Sequence, residues 1–371
     1  MDPRRQFCPN PACPAHGQVG RGNISVHSQK RRRYRCARCR RTFAATAGTP
    51  FFRLRTGVEL VTLVLTLPCH GCPLQAIVVA FGFDERTVAA WQARAGAHCQ
   101  AVHAHLVQQG ELDLGHVQAD ELWVKVVGGR VWQAMAMAVP SRLWLGGVVS
   151  AHRDGALITR LVQAVRACAR APVGLVCVDG LASYVTAFTR VFRTPVRTGR
   201  PGRPRLVLDV GLLIGHVVKR YAQRRVVDVT HRIVRGTPEA IAAALAASGS
   251  SVLNTAYIER LNATFRGALA ALVRRGRAIA RTEATLTAGM FLVGCAYNFC
   301  WDHASLRLPA PAGTGPAWRP RTPAMAAGLT DHRWSMHELL SHRIPAAPAA
   351  APRRRGRPPS QPARAPLPLA A

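Results

Sequence analysis

The sequence predicts an α/β fold preceded by two smaller N-terminal segments, and three patterns indicate it. Three apolar segments over 116–151, HVQADELWVKVV, RVWQAMAMAVP and RLWLGGVVSA, are typical of successive strands separated by short turns. Residues 154–171 repeat apolar side chains at helical spacing, and 173–180 form a short apolar strand that ends in an acid. This order favours a mixed sheet with flanking helices. We therefore expect an α/β domain over 113–308.

The charge of the chain indicates a polyanionic partner. Its 371 residues include 50 Lys and Arg against 18 Asp and Glu, which gives a formal net charge of +32. Most of the basic residues are arginines, which bind phosphate through two parallel hydrogen bonds. Such a chain would repel itself without a polyanion nearby, so nucleic acid is the first expected partner.

A membrane is the second possible partner, and the sequence disfavours it. No apolar run reaches the roughly 18 residues that a spanning helix requires. The first residues, MDPRRQFCPN, lack the hydrophobic stretch of a secretory signal. The expected location is the cytoplasm, in association with the nucleoid. The eleven cysteines are then expected to be thiols or metal ligands rather than disulfides.

Two close-set cysteine pairs predict a zinc ribbon over 1–52. Cys8 and Cys13 are separated by four residues and Cys36 and Cys39 by two, with a β-rich insert between the pairs. Each pair can supply two thiolates from one turn, which is what a tetrahedral Zn²⁺ site needs. His16 could replace one cysteine, although four cysteines are the simpler set. Basic residues that suit phosphate contacts surround the second pair: Lys30, Arg31, Arg32, Arg33, Arg35, Arg38, Arg40 and Arg41.

Residues 56–108 have the pattern of a helix-turn-helix DNA-binding domain. One helix over 58–67 is followed by a short helix, a turn at Gly82 and a longer helix capped by Asp84. Arg86 and Arg94 would point outward from this last helix, the element that enters a major groove in such domains. A purely structural three-helix bundle gives a similar pattern and stays open as the alternative.

A further close pair, Cys69 and Cys72, lies between the first two predicted helices. It has no second pair downstream to complete a set of four ligands. We interpret it as part of a turn rather than a metal site.

The first predicted strand carries two adjacent acids, Asp120 and Glu121. Because side chains alternate along a strand, only one of them is expected to face a given site. Asp120 shares a face with Leu122 and Val124, where a carboxylate is costly unless a cation or a donor neutralises it. We therefore expect Asp120 to be a metal ligand and Glu121 to face away, with Lys125 as its partner. A solvent-facing role for both acids is the alternative.

Two further positions offer carboxylates. Asp179 ends the apolar strand over 173–180, where α/β folds bind ligands. In the helix predicted over 254–275, Glu259, Asn262 and Arg266 recur at helical spacing beside an apolar stripe. One helix edge thus carries a carboxylate, an amide and a guanidinium. Taken alone, an ordinary solvent-facing helix explains this edge equally well.

Together these residues resemble a known family. Asp120 on a first strand, Asp179 after a later strand, and Glu259 followed seven residues on by a basic residue resemble the DDE transposases of bacterial insertion sequences. The cysteine pairs, the helix-turn-helix pattern and the segment IERLNATFR look like the insertion-sequence-one class. The resemblance covers about residues 8 to 308, and it implies an RNase H-like catalytic domain over 113–308.

The resemblance also implies a reaction on double-stranded DNA. Asp120, Asp179 and Glu259 would hold two Mg²⁺ or Mn²⁺ ions, which activate an oxygen nucleophile and stabilise the leaving alkoxide. Water first frees a 3′-hydroxyl at the element end, and this hydroxyl then attacks target DNA. Asn262 and Arg266 would contact DNA near the scissile phosphate, and a homodimer or larger assembly would form on the DNA.

One feature departs from the family pattern. The interval between Asp179 and Glu259 is 79 residues long and holds the insert RTGRPGRPRLVLDVG and a hairpin predicted over 215–236. A rival acid or a helping histidine from this interval therefore stays open: Asp209, His216, Asp228 or His231. Two other functions also stay open, a non-catalytic DNA-binding regulator and an RNase H-like nuclease or resolvase.

Residues 309–371 are mostly Pro, Ala and Arg and predict a disordered basic tail. Its segment Arg355-Gly356-Arg357-Pro358 looks like an AT-hook, in which Arg355 and Arg357 would lie along a narrow A·T minor groove. GRPGRPR over 199–205 is a weaker copy. A basic tail with general phosphate affinity is the alternative.

Overall fold

A mixed β-sheet organises most of the chain in the computed structural model, which describes residues 1–197, 203–223, 225–273, 276, 278–310 and 317–345. The chain divides into two compact units, one containing Met1–Ala45 and the other Thr46–Ile344. The segment expected to form the ribbon therefore ends at Ala45. The helical segment and the α/β domain, expected to be separate, belong to the same unit.

The first unit is a three-stranded antiparallel sheet. Strand β1 (Ile24–Ser28) pairs with β2 (Arg33–Cys36), which pairs with β3 (Thr42–Ala44). Tyr34 and Phe43 are buried cross-strand partners whose ring centroids are 5.7 Å apart. An apolar core of this size buries too little surface to stabilise the segment by itself.

Three helices precede the large sheet, as predicted: α1 (Val58–Thr66), α2 (Leu74–Phe81) and α3 (Glu85–Leu106). Gly82 ends α2 with a positive φ of 66°, a conformation that glycine adopts without steric cost. The Asp84 carboxylate caps α3 by accepting hydrogen bonds from the backbone N–H groups of Arg86 and Thr87. Cys69 lies buried in the turn between α1 and α2, which confirms the turn interpretation.

Helix α3 continues from the helical segment into the α/β body. Its His103 Nε2 lies 3.1 Å from the Leu145 carbonyl oxygen, and the His103 ring contacts Trp144. A Cβ added at Gly96 would lie 2.5 Å from the backbone of Ala288, so glycine allows two helices to approach closely there. This continuous packing explains why the helical segment is not a separate unit.

The strands of the body match the predicted order, with an additional short hairpin. Their bounds are β4 (His116–Val126), β5 (Gly129–Ala138), β6 (Trp144–Ser150), β7 (Leu175–Asp179), β8 (Arg193–Val196), β9 (Arg205–Leu208), β10 (Leu213–Ala222) and β11 (Arg225–Arg235). The large sheet has the order β6-β5-β4-β7-β10-β11, and β8 pairs only with β9 among the described residues. Strands β4 to β6 form an antiparallel meander, and β7 and β10 extend it in parallel beside β4. The hairpin expected over 215–236 is confirmed as β10–β11.

Helices cover both faces of this sheet. The helices are α4 (Gly155–Cys168), α5 (Ala182–Val191), α6 (Pro238–Ala247), α7 (Ala256–Ala268) and α8 (Glu283–Cys295). Asn262 of α7 contacts Asp120, and Tyr184 of α5 contacts the next residue, Glu121. Because neighbouring strand residues point to opposite faces, α5 and α7 lie on opposite sides of the sheet. Helix α7 ends earlier than the 254–275 expected.

The helical stretch Glu283–Leu306 is long and apolar enough to cross a membrane by length and composition alone. Its 18-residue window has a mean hydropathy of 1.2, and 61% of that window is buried inside the protein. The expectation that no apolar run reaches about 18 residues is therefore wrong for this stretch. Its burial is that of a core helix and is compatible with a soluble protein.

The disorder expected from residue 309 onward is wrong for residues 317–345. Helices α9 (Pro323–Ala326) and α10 (Met336–Ser341) form there, and Leu339 and Leu340 are fully buried. Trp334 stacks on Phe299 with ring centroids 4.7 Å apart. A few well-placed apolar residues thus anchor a segment whose average composition resembles a disordered tail. Arg355 and Arg357 lie outside the described residues, as does most of 199–205.

Candidate metal centres

The four cysteines of the first unit converge as the sequence predicted. The Sγ atoms of Cys8 and Cys39 are 3.5 Å apart, those of Cys13 and Cys36 are 3.9 Å apart, and all four lie within 4.8 Å of one another. A tetrahedron with Zn–S bonds of about 2.3 Å has sulfur–sulfur edges of about 3.8 Å. The cluster is therefore compatible with zinc, and His16 is not among its residues.

Hydrogen bonds prepare part of this cluster for the thiolate form that binds metal. The backbone N–H of Arg41 is the main cause that lowers the pKa of Cys39 to about 6. Burial raises the pKa of Cys36, but the backbone of Cys39 and the Asn23 amide, 3.3 Å away, outweigh it and give a lowered pKa. Burial raises the pKa of Cys8. Hydrogen bonds thus favour the thiolate form of Cys36 and Cys39, whereas burial opposes it at Cys8.

The register between β4 and β7 brings Asp120 and Asp179 together. Gln118 of β4 pairs with Cys177 of β7, and each acid lies two residues further along its strand. The two strands are parallel, so both acids lie at the same level where the ladder ends. The backbone N–H of Leu181 donates a hydrogen bond to the Asp179 carboxylate and holds it at the end of the strand. The Asp179 side chain is 40% exposed there.

Gln118 positions α7, and the sequence reasoning missed it. Its Oε1 accepts hydrogen bonds from the N–H groups of Tyr257 (3.1 Å) and Ile258 (3.0 Å), and its Nε2 donates to the Asn254 carbonyl at 2.7 Å. A fully buried amide thus binds the first turn of α7 to the strand that carries Asp120. The signal available was its spacing, two residues before Asp120 on the same face.

Helix α7 delivers two of its three predicted residues near the acids. Asn262 is buried and its Nδ2 donates to Asp120 Oδ2 at 2.7 Å, while its Oδ1 has no hydrogen-bond partner among the described residues. Glu259, one turn earlier, is 46% exposed. Its carboxylate accepts hydrogen bonds from Lys219 and, at 2.7 Å, from Thr255. A buried unpaired oxygen beside carboxylates is a donor set that Mg²⁺ accepts.

Glu121 contradicts the expectation that only one of the adjacent acids approaches the site. Ligand atoms of Asp120, Glu121 and Asp179 lie within 4.8 Å of one another, and Glu259 is outside this group. Lys125 is not the partner of Glu121. Instead, Arg153 donates from Nε at 2.7 Å and also from Nη2, and the Tyr184 hydroxyl donates at 2.7 Å. On the β7 side, the pairing of β4 ends at Gln118, whereas β5 still pairs with Asp120 and Glu121 on the other side.

Arg153 joins the buried acid to the exposed one. The Glu121 side chain is 1% exposed, and the Arg153 Nη2 atom lies 3.7 Å from Asp179 Oδ2. The guanidinium also lies over the Trp132 ring, 5.1 Å from its centroid. With both oxygens of Glu121 engaged, this acid holds a cation at the site, whereas Asp179 keeps an exposed edge.

The environment of the Asp120 carboxyl group raises its pKa. Burial, followed by the charges of Glu121 and Asp179, raises the pKa of Asp120 to about 7, and Glu259 adds to the increase. A buried carboxylate surrounded by like charges favours any added cation. The cluster thus has the electrostatic character of a divalent-metal site.

Of the four alternative residues in the long interval, His216 lies on β10, the strand that pairs with β7 and its Asp179. It is buried on β10 beside Val178, its Nε2 has no partner in the described chain, and burial lowers its pKa while Asp179 raises it. Asp209 instead accepts a hydrogen bond from Thr194 at 2.8 Å, and Asp228 one from Thr230 at 3.2 Å.

The predicted DNA-binding arginines occupy different environments. Arg86 is exposed on the first turn of α3, and Arg94 is exposed but donates to the Phe52 carbonyl at 2.6 Å. Arg266 lines a cleft of about 770 Å³ together with Trp123 and Lys125. The Trp123 ring is 61% exposed there. An exposed aromatic ring beside two cations is a surface that suits an unpaired base next to phosphates.

No protein-family model matches this chain, and no curated protein is detectably similar to it in sequence.

Proposed function

We propose that this protein is a DDE-type DNA transposase that cleaves the ends of a mobile element and joins them to target DNA. The observation that supports it most is the convergence of Asp120 and Asp179 at the ends of adjacent parallel strands, with Asn262 of α7 bonded to Asp120. Strand-end carboxylates gathered from distant segments are characteristic of metal-dependent phosphoryl-transfer sites. The antiparallel meander extended by parallel strands supports an RNase H-like fold for this part of the chain.

Three acids would hold the metal ions in this proposal. Asp120 and Asp179 supply oxygens directly, and Glu259 lies on the same helix as Asn262, one turn earlier. Bound Mg²⁺ supplies an activated oxygen nucleophile and stabilises the leaving alkoxide. To hold a metal ion, Glu259 would exchange its Lys219 contact for the ion, and the Lys219 ammonium would then be free to contact a phosphate.

Arg153 would act on the phosphate itself. Glu121 and the Trp132 ring hold the guanidinium, and its Nη2 reaches toward Asp179. A fixed guanidinium stabilises the extra negative charge that develops on the equatorial oxygens during phosphoryl transfer. We therefore assign Glu121 a positioning role and Arg153 a substrate-binding role.

The DNA would be held by basic surfaces around the acids. The Trp123, Lys125 and Arg266 cleft suits a strand end whose terminal base is unpaired. Arg86, Arg94 and the arginines of the first unit would contribute sequence-independent phosphate contacts. We also propose that Cys8, Cys13, Cys36 and Cys39 bind one structural Zn²⁺, because their sulfur spacing suits it.

The decisive experiment is cleavage of labelled DNA that carries the sequences flanking the gene. Asp120→Asn should reduce Mg²⁺-dependent cleavage by about a thousandfold or more, since a metal ligand is lost, while the affinity for the DNA end stays unchanged. Asp113→Asn, an exposed acid earlier in the chain, is the matched control and should cleave normally. Full activity of Asp120→Asn would refute the assignment.

The same assay separates the other two functions. A wild-type chain that binds the end tightly without cleaving it in Mg²⁺ or Mn²⁺ would identify a DNA-binding regulator. Cleavage without joining of the freed 3′-hydroxyl to a second DNA would identify a nuclease or resolvase.

A further inference from the structure

Strand β11 is an open edge of the large sheet. It pairs on one side with β10, and no described residue forms a backbone hydrogen bond with its other side. Every residue from Arg225 to Val234 is exposed. An exposed edge of this length presents a row of unpaired backbone donors and acceptors that favours pairing with another strand.

The edge is also unusually apolar for a strand with both faces in solvent. Exposed fractions are 47% for Val226, 52% for Val227, 43% for Val229, 40% for Ile233 and 41% for Val234. Aliphatic side chains of this kind gain nothing from phosphate, so a DNA-binding role does not account for them. A protein strand laid beside β11 would shelter part of each.

Two copies of β11 placed antiparallel to each other have complementary side chains. The strand reads RVVDVTHRIVR, and its pairing with β10 is regular from Asp228 to Ile233 between two irregularities. If two copies are placed antiparallel about a two-fold axis at Thr230, unlike charges and aliphatic side chains face each other. The resulting cross-strand pairs are Asp228 with Arg232, Val229 with His231 and, at the margin of the regular stretch, Val227 with Ile233. Val226 would lie opposite Val234 beyond the irregularities.

We propose that β11 pairs with β11 of a second copy of this chain, forming a two-fold symmetric dimer with a continuous sheet across the interface. Each Asp228–Arg232 pair occurs twice because the interface is isologous. Within its own chain, Asp228 accepts a hydrogen bond only from Thr230 among the described residues, so its carboxylate is available. Shifting the axis by one residue, to His231, sets Asp228 against Val234 and loses the charge pairs.

Salt should favour this dimer. Each chain carries a net charge of +32, and Arg225 of one copy would lie opposite Arg235 of the other. Screening weakens this repulsion between distant charges more than it weakens the adjacent Asp228–Arg232 pairs, and it also weakens any contact with DNA. The dimer is therefore best sought without DNA at about 0.5 M salt, where the Debye length is below 10 Å.

Charge reversal tests the proposal on the full-length chain by analytical ultracentrifugation in that buffer. Asp228→Arg and Arg232→Asp should each weaken dimerisation about tenfold or more, because two attractive pairs become repulsive. The double variant should restore dimerisation, since the pairs re-form with their signs exchanged. A wild-type chain that stays monomeric at about 100 µM, which requires a dimer Kd above that value, overturns the proposal, and so does a dimer that both single variants leave intact.

A cysteine at the axis gives an independent readout. Thr230→Cys would face its own copy at the Cα separation of about 5 Å that a disulfide requires, whereas Val229→Cys would lie about 7–8 Å from its copy. Mild oxidation should cross-link Thr230→Cys at least tenfold faster than Val229→Cys or the wild type. Equal rates would overturn the pairing. Stronger DNA binding by Asp228→Arg and weaker binding by Arg232→Asp, in a chain that stays monomeric, would show that the strand contacts DNA instead.

Discussion

The two clusters of potential metal ligands are built in opposite ways. The four cysteines lie within residues 8–39 and approach one another through turns and a three-stranded sheet with a very small core. The acids come from β4, β7 and α7, and a large buried core already holds those elements in place. With zinc bound as proposed, the first cluster would be a condition for the fold of its unit, whereas the second cluster is a consequence of its fold.

The clusters also differ in the groups that stabilise their negative charges when no metal is bound. The sulfurs have backbone N–H groups and one amide as donors, and burial opposes their charge. The acid cluster has two resident cations, since Arg153 binds Glu121 and Lys219 binds Glu259. Loss of metal should therefore unfold the first unit and leave the second unit folded.

The largest expected effect follows from this difference. Cys36→Ser should unfold residues 1–45, because structural zinc contributes on the order of 10 kcal/mol to domains of this kind. Limited proteolysis should then cut at the arginines of 31–41, while the thermal midpoint of the larger unit stays unchanged. The control is Cys72→Ser, which changes a partly exposed cysteine outside the cluster. In this variant, residues 1–45 should stay protected from the protease. Protection of the ribbon in Cys36→Ser would remove the contrast between the two clusters.

Asp120→Asn should make the magnesium-free protein more stable at pH 8. The pKa of Asp120 is about 7 in the folded chain against an ordinary value of 3.8, so folding binds its proton more tightly. Its contribution to stability therefore declines as the pH rises from about 4 to above 7. Removing the charge should raise the unfolding free energy by up to about 4 kcal/mol at pH 8 and by little at pH 4. Thermal unfolding at several pH values measures this, and a gain independent of pH would contradict it.

Glu121→Gln should reduce cleavage by about tenfold to a hundredfold, the usual cost of losing a group that orients an active-site residue. The amide cannot hold the Arg153 guanidinium as a carboxylate does. Because the Glu121 charge raises the pKa of Asp120, the variant should also shift the acid limb of the pH–rate profile downward. Glu111→Gln, an exposed acid, is the control. Reduced activity with an unshifted profile would indicate only a structural role.

The smallest effect is expected at Lys219. Lys219→Gln removes the cation that competes with metal for Glu259, so the Mg²⁺ concentration for half-maximal cleavage should fall. The pair is partly exposed, with 27% and 46% of the two side chains accessible, and such pairs contribute up to about 1 kcal/mol. The change should therefore stay within about fivefold. An increased Mg²⁺ requirement would show that Lys219 supports the metal site rather than competing with it.

Local patterns in the sequence were sufficient for much of the fold. The spacing of Cys8, Cys13, Cys36 and Cys39 predicted their convergence, because each pair lies in one turn and a short insert joins the turns. The meander, the strand ending in Asp179 and the Asp84 cap followed from periodicity and capping rules, which depend on neighbours in sequence. Asp120 and Asp179 were identified by the same means.

Tertiary structure alone decided the partners of the acids and the limits of the units. Alternation along β4 predicted that Glu121 faces away, but a ligand atom of Glu121 lies within 4.8 Å of those of Asp120 and Asp179, and Arg153 from the loop after β6 replaces Lys125 as its partner. Gln118 of β4 and Lys219 of β10 contact α7, and spacing alone indicated only that Gln118 shares a face with Asp120, not that it binds a helix 136 or more residues further on. The packing of α3 into the body and the burial of Leu339 and Leu340 likewise depend on surfaces supplied by distant segments. Sequence patterns determine how a segment folds locally, whereas these contacts depend on which surfaces the whole chain brings together.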